Sequence, residues 1–428
     1  MIGPSNPDLP SGESVKTINR PAFLALCLAS GITAVGFTGM QTVLPAIGRE
    51  IGLPDSLVSA VFALASLLIL FASPFWARQS DLRGRKTIIL VGVLGFVVSM
   101  LGCALVVSAG IHRLAGPTTI FFLFLFARGI SGAVGGAAPP ATQAYVADNT
   151  AREERTSAIA TLAGSAGVGT IIGPMAAPMM AQGPLGLAGP LYGFTLAGLF
   201  VLIISWVYIP KDIPIHGVGT HRADGSTGPE NVTLAMLWRN LPVRELLIAS
   251  ALTNVIWMAV TQTVAFAIID MTKVGPAASL PYITNAMIVG SLATVAGQWM
   301  VIPLLKPMPR NLLRWGMAVA LAGCILILFA SRYEWLVAGL GIFMLGISLA
   351  RPGLSAATSL SVTRSQQASA AGMLSAVMGG STLFSPLFVL FYGLYHAGPF
   401  LLISILLAGM LLFMWRSPHL RHFQAPDA

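Results

Sequence analysis

Charge is scarce in this chain of 428 residues: 9% are Asp, Glu, Lys or Arg, whereas 55% are hydrophobic. A water-soluble fold needs far more polar surface than that, which excludes a soluble enzyme. It also excludes a nucleic-acid-binding domain, because the net charge of +9 is not gathered on any soluble surface. Cysteine is nearly missing, and Cys27, Cys103 and Cys324 are odd in number and all lie in apolar runs, so no disulfide framework exists and a packing role is expected. Carboxylates are missing from the interior of every apolar run; the acidic residues nearest to one are Asp55, Asp148 and Asp270, each at a run's end. The six His fall in loops or tails, or, for His396, at a run's end, with no metal-ligand spacing among them. No metal, no cofactor and no enzymatic activity are therefore expected.

What the chain has instead is apolar length. Its hydrophobic residues come in twelve runs of roughly 20, the length a helix needs to cross about 30 Å of hydrocarbon, the first centred near Ala34 and the last near Leu406. The runs are continuous and do not alternate as the strands of a membrane barrel would. The expected fold is an all-α integral membrane protein with twelve transmembrane helices in two pseudo-symmetric six-helix bundles. One long polar stretch, KDIPIHGVGTHRADGSTGPENVT, follows the sixth run, and its Gly, Pro, Asp and Ser cannot build a packed core. The expected layout is a tail over 1–21, a first bundle over 22–210, a linker over 211–243, a second bundle over 244–416 and a tail over 417–428. Lys16 and Arg20 before the first run would also suit a cleaved leader, but cleavage would leave an odd number of spans in the first half.

Basic residues are distributed unevenly between alternate loops. One set holds most of them, including Arg78, Arg83, Arg85 and Lys86; the other holds Arg49, Arg113, Lys273 and Arg332. Cytoplasmic loops are enriched in Lys and Arg, so both termini and the linker are expected in the cytoplasm, with the chain in the cell's inner membrane. Two arginines escape this rule by lying inside apolar runs, Arg128 and Arg351. An Arg at the centre of a spanning helix costs about 2.5–3.5 kcal/mol on insertion scales, so both are expected to face an interior cavity and to serve there. With no carboxylate to neutralise them, the simplest partner is an anionic substrate held by the forked guanidinium. The bland alternative for each is a structural Arg bonded to backbone carbonyls of a kinked neighbour. Phe37, Met40, Gln41, Trp257, Met258, Gln262, Met373 and Met378 are candidates for the wall of that cavity, with Gln41 and Gln262 supplying amides.

The two halves resemble each other weakly. AGSAGVGTIIGPMAAP lies against SAVMGGSTLFSPLFVL so that Gly167 meets Gly379 and Pro174 meets Pro386, and at the same offset Pro140 meets Pro352. Parallel repeats of this kind place a substrate path between two halves that rock against each other.

The densest charge lies in ARQSDLRGRK, residues 77–86, between the second and third runs. It resembles the loop signature of the major facilitator superfamily, matched at Asp81, Gly84, Arg85 and Lys86 and departing at Ala77, Gln79, Ser80 and Leu82. The resemblance implies that Asp81 pairs with Arg85 and faces the start of the eleventh span, around Ser365 to Ser369, as a gate latch. LFARGISGAVGG resembles the Arg-x-x-x-Gly element of drug:proton antiporters at Arg128 and Gly132, where the Arg helps to couple protons to substrate. GSAGVGTIIGPMAAP matches part of the fifth-span export motif at Gly169, Gly173 and Pro174, with Ala177 and Ala160 in place of two of its glycines. Gln298, Gln366, Gln367, Gly372 and Pro386 look like matching positions of the tetracycline-exporter branch. That branch carries an Asp in its first span where Thr33 stands here, which leaves Asp270 as the best remaining candidate for protonation. The resemblance implies an alternating-access exporter of a small organic molecule such as a drug-like compound, in exchange for protons, working as a monomer in the lipid bilayer, and the two uncompensated arginines point to an anionic metabolite such as a siderophore. An importer or a potential-driven facilitator of the same fold is the alternative.

Overall fold

A computed structural model describes residues 18–150, 154–211, 241–305, 308–362, 370, 373, 374, 377 and 379–416. Residues 1–17, the C-terminal tail, most of the expected linker, the turn from Ser365 to Ser369, and Gln366, Gln367, Gly372 and Met378 lie outside the described residues. Every regular element described is helical. Among the described residues eleven helices are long and apolar enough to cross a membrane: Arg20–Ile51, Asp55–Arg83, Arg85–Ile111, Pro117–Asp148, Ser157–Ala181, Gly186–Tyr208, Leu241–Thr272, Leu280–Leu305, Arg310–Leu328, Tyr333–Leu360 and Gly398–Arg416. The shorter apolar helix Gly379–Leu394 falls between the last two and is span eleven. Because successive spans alternate in direction, the first begins and the twelfth ends on one side, the terminal face; the opposite side is the far face.

Proline and glycine shape the helices locally. The first helix starts at Arg20 with Pro21 in its first turn, where the missing N–H costs nothing, and ends at Gly52, whose φ of 86° places it in the left-handed region. Gly84 separates spans two and three with φ 90° and ψ 144°, a conformation closed to side-chain-bearing residues, so the turn can be this tight only with glycine there. Span four is interrupted: Pro139 and Pro140 cannot donate to the carbonyls four residues back, and the chain tightens into a 3-10 turn over Gly135–Ala137. The same cause acts in span eleven, where Pro386 follows the 3-10 turn Thr382–Phe384. In span eight Pro303 follows a π-helical turn over Gly297–Val301.

Several pairs of helices approach to backbone contact, among them spans one and five and spans nine and ten. A Cβ added to Gly169 would sit 2.5 Å from the Gly31 carbonyl oxygen, and one added to Gly173 would sit 2.5 Å from that of Val35, so spans one and five touch through their main chains. Gly316 against Gly346 and Gly323 against Gly339 make the corresponding contact between spans nine and ten. In a bilayer, where apolar burial drives helices together weakly, such close approach is a main source of cohesion. Spans one to six form one bundle and seven to twelve the other, meeting where span one packs on seven, five on eight and two on eleven.

Candidate functional site

Among the described residues, a set of polar contacts joins the two bundles in the middle and the far-face half of the molecule. At the far end Arg49 of span one donates Nη2 to Asp270 Oδ2 of span seven at 3.1 Å and is ion-paired to the same carboxylate through Nη1. Asp55 holds the guanidinium from its own bundle, Nε to Oδ1 at 3.0 Å and Nη2 to Oδ2 at 2.8 Å. The Tyr392 hydroxyl of span eleven donates to Asp270 Oδ2 at 2.7 Å, and His396 Nε2 stands 3.6 Å from that oxygen. Gln182 Nε2 donates to Thr284 Oγ1 at 3.0 Å, joining spans five and eight. Deeper in, Ser291 Oγ donates to the Ile171 carbonyl at 3.3 Å and Gln41 Nε2 reaches Met258 Sδ at 3.3 Å. Together these close the far side of the interface between the bundles.

On the terminal face the charged loop makes contacts with other elements of its own bundle. Asp81 is ion-paired with Arg85, as the resemblance implied, and Arg85 also reaches Asp148 at the end of span four, Nε to Oδ2 at 3.0 Å. Gly84 makes this possible by reversing the chain between them. Lys86 donates to the Trp206 carbonyl at 2.7 Å.

Between the two faces lies a cavity of about 1610 Å³ including its open mouth, running from mid-membrane toward the terminal face. Both bundles line it, Thr33, Phe37 and Arg128 from the first and Asn254, Trp257 and Arg351 from the second. A second, narrower space of about 750 Å³, open solvent included, adjoins it, sharing Thr38, Thr170, Trp257 and Arg351 and reaching Gln41 and Gln298. Neither is lined by an acidic side chain among the described residues. Arg128 is 1% exposed, and its Nε and Nη1 have no hydrogen-bond partner among the described residues. Its guanidinium carbon lies 5.4 Å from the centre of the Phe37 ring and 5.7 Å from that of Phe62, so among the described residues its charge is met by two aromatic faces and by no anion. Arg351 lies over Trp257 at 4.8 Å. Neither arginine donates to backbone carbonyls of a kinked neighbour in any contact described.

Other expected residues are placed elsewhere. Gln262 is buried away from the cavity, its Nε2 donating to Ser385 Oγ at 3.1 Å across spans seven and eleven. Asp270 stands in the far-face network and not in the cavity. Met40 and Met373 are buried in packing. Gly169, Gly173 and Pro174 belong to the face of span five turned toward span one and the smaller space. Cys103 and Cys324 are buried and all three cysteines are unpaired. The Arg49, Asp55 and Tyr392 cluster was not anticipated. The available sign was Arg49 itself, a cation at the end of a span on the side poor in cations, with Asp55 one short turn away.

A cavity between two six-helix bundles, closed by polar contacts on one side, defines a membrane transport protein of the two-bundle type. The chain belongs to the Major Facilitator Superfamily, whose family profile matches residues 26–330. Among its relatives, Multidrug resistance protein 2 of Bacillus subtilis (strain 168) is 30% identical over 200 residues, 46% of each chain. Multidrug resistance protein MdtG of Proteus mirabilis (strain HI4320) is 30% identical over 186 residues, 42% of each chain. The chain thus spans less than half the length of these relatives. The fold is shared with a bacterial homologue of the lysosomal transporter Spinster, solved inward-facing and unoccupied, at a TM-score of 0.67 and 15% identity over 95% of this chain and 96% of that one. It is also shared with the human organic anion transporter MFSD10, at a TM-score of 0.63 and 17% identity over 92% and 99%.

Proposed function

We propose that this chain is a secondary active exporter that moves a small organic anion by alternating access. The observation that carries the reading is the pair Arg128 and Arg351, one from each bundle, lining a single cavity with no carboxylate among the described residues of its wall. A guanidinium with no anion in a low-dielectric interior is costly, and a substrate carboxylate would relieve that cost at the moment it binds. Phe37, Trp257 and Met258 give the same ligand an apolar wall. With the termini in the cytoplasm, as the distribution of Lys and Arg supports, the cavity runs toward the cytoplasmic side and the Arg49–Asp270 contact closes the exterior side. That is the arrangement in which an exporter loads. The multidrug-resistance relatives and the partial export motif at Gly169, Gly173 and Pro174 support the direction.

Moving one negative charge out of a cell that is negative inside gains about 2.3 kcal/mol per 100 mV, so the membrane potential can drive export by itself. Where protons take part, Asp270 is the group that would receive them from the exterior, and its neutralisation would loosen the hold on Arg49. The test is uptake into inside-out vesicles of an aromatic carboxylate and of the cation ethidium, in the wild type and in Arg128→Gln and Arg351→Gln. The reading requires anion uptake to fall at least tenfold in both variants while ethidium handling is unchanged. Equal losses for both compounds would refute it.

A further inference from the structure

The smaller space beside Arg351 has a chemistry of its own. Seven hydroxyl side chains line it, and each already donates its hydrogen to a backbone carbonyl. Thr38 Oγ1 donates to Ala34 at 2.8 Å and Thr42 to Thr38 at 3.1 Å in span one. Thr170 donates to Gly167 at 2.7 Å and Thr261 to Trp257 at 2.9 Å. Across from these, Thr294 donates to Gly290 at 2.9 Å, Ser348 to Leu345 at 2.7 Å, and Ser291 across the bundle interface to Ile171 at 3.3 Å. A hydroxyl has one hydrogen and two lone pairs, so these groups offer a ligand only acceptor oxygens. The one charged donor among the described residues of the wall is Arg351, stacked on Trp257. Gln298 is carried to this wall by the π-helical turn Gly297–Val301, in which a Cβ at position 297 would collide with Ser348.

Acceptors facing a single fixed cation define the ligand that satisfies both. We propose that the substrate is amphoteric, with an anionic group for Arg351 and Arg128 and a protonated amine a few ångströms away that donates to the hydroxyl oxygens of Thr38, Thr261, Thr294 and Ser348. A purely anionic ligand would leave the acceptor wall unmatched, and a purely cationic one would meet Arg351. This inference rests on the anion reading above and narrows it to one substrate class.

Calorimetric titration of the full-length protein in lipid nanodiscs tests it, with three probes: 4-(aminomethyl)benzoate, which is a zwitterion, 4-methylbenzoate, which lacks the amine, and benzylamine, which lacks the acid. The zwitterion should bind at least tenfold more tightly than 4-methylbenzoate, and benzylamine should bind more weakly than either. Thr261→Val with Thr294→Val, which keeps the shape and removes two acceptors, should abolish the zwitterion's advantage and leave 4-methylbenzoate binding intact, which also shows that the variant is folded. Ser348→Ala, a smaller change, should reduce the advantage by severalfold. Equal affinity for the zwitterion and 4-methylbenzoate, or an advantage that survives both variants, overturns the proposal and leaves the anion reading standing. Failure of both acids to bind the wild type overturns the anion reading, and this one with it.

Discussion

Asp270→Asn separates the far-face latch from everything else in the structure. Arg49 keeps Asp55, so the substitution leaves no unpaired cation behind and the bundles remain folded. What is lost is the ionic link between bundles: an amide offers Arg49 one neutral oxygen in place of two charged ones. A charge-assisted hydrogen bond is worth about 1.5–3 kcal/mol. The Arg49 and Asp270 side chains are 19% and 32% exposed, however, so solvent screens part of that gain. The net loss is about 1–2 kcal/mol, which shifts the ratio of far-face-closed to far-face-open molecules by roughly five- to thirtyfold. Pulsed electron spin resonance reads this directly, with nitroxides on the exposed Glu50 and Val274, Cys27 replaced by Ser, and the buried Cys103 and Cys324 out of the label's reach. The wild type should show a short label separation, and Asp270→Asn a second, longer population. A distribution unchanged by the substitution would refute the claim that this contact holds the face shut.

Three further outcomes follow from the packing and the charged turn. Gly173→Ala should lower stability by about 1–3 kcal/mol, because its Cβ would lie 2.5 Å from the Val35 carbonyl oxygen and 2.7 Å from the Gly39 nitrogen, whereas Gly167→Ala, with nothing within 4 Å, should leave the thermal midpoint of the purified protein unchanged. Gly84→Ala should distort the turn at φ 90° and lower the midpoint even though the added methyl is small. Asp148→Asn should cost less than about 1 kcal/mol, since Arg85 retains Asp81 and the carboxylate is half exposed; a larger loss would mean that the terminal-face triad holds the bundle together.

The fold was legible because hydrophobic length is a property of the chain alone: runs of about twenty apolar residues can only be satisfied by spanning helices. The cavity was partly legible for the same reason, since Arg128 and Arg351 are expensive wherever they face lipid and so had to face inward. The helix faces were not legible, because periodicity is nearly silent in segments apolar on all sides. Gln41 lines the smaller space and Gln262 bonds to Ser385, yet both look alike in sequence. The far-face network was hidden by distance along the chain: Arg49, Asp270 and Tyr392 share no local pattern and meet only once the bundles pack. The acceptor character of the smaller space was also out of reach, because it depends on where each hydroxyl sends its hydrogen.

The central claim is that the cavity carries an anion, and the driving force of transport tests it most directly. Inside-out vesicles holding an imposed membrane potential and no proton gradient should accumulate an aromatic carboxylate, with accumulation growing with the potential, reversing with its sign, and absent in Arg128→Gln. Accumulation of ethidium that requires a proton gradient, with no movement of the carboxylate under potential alone, would contradict the account.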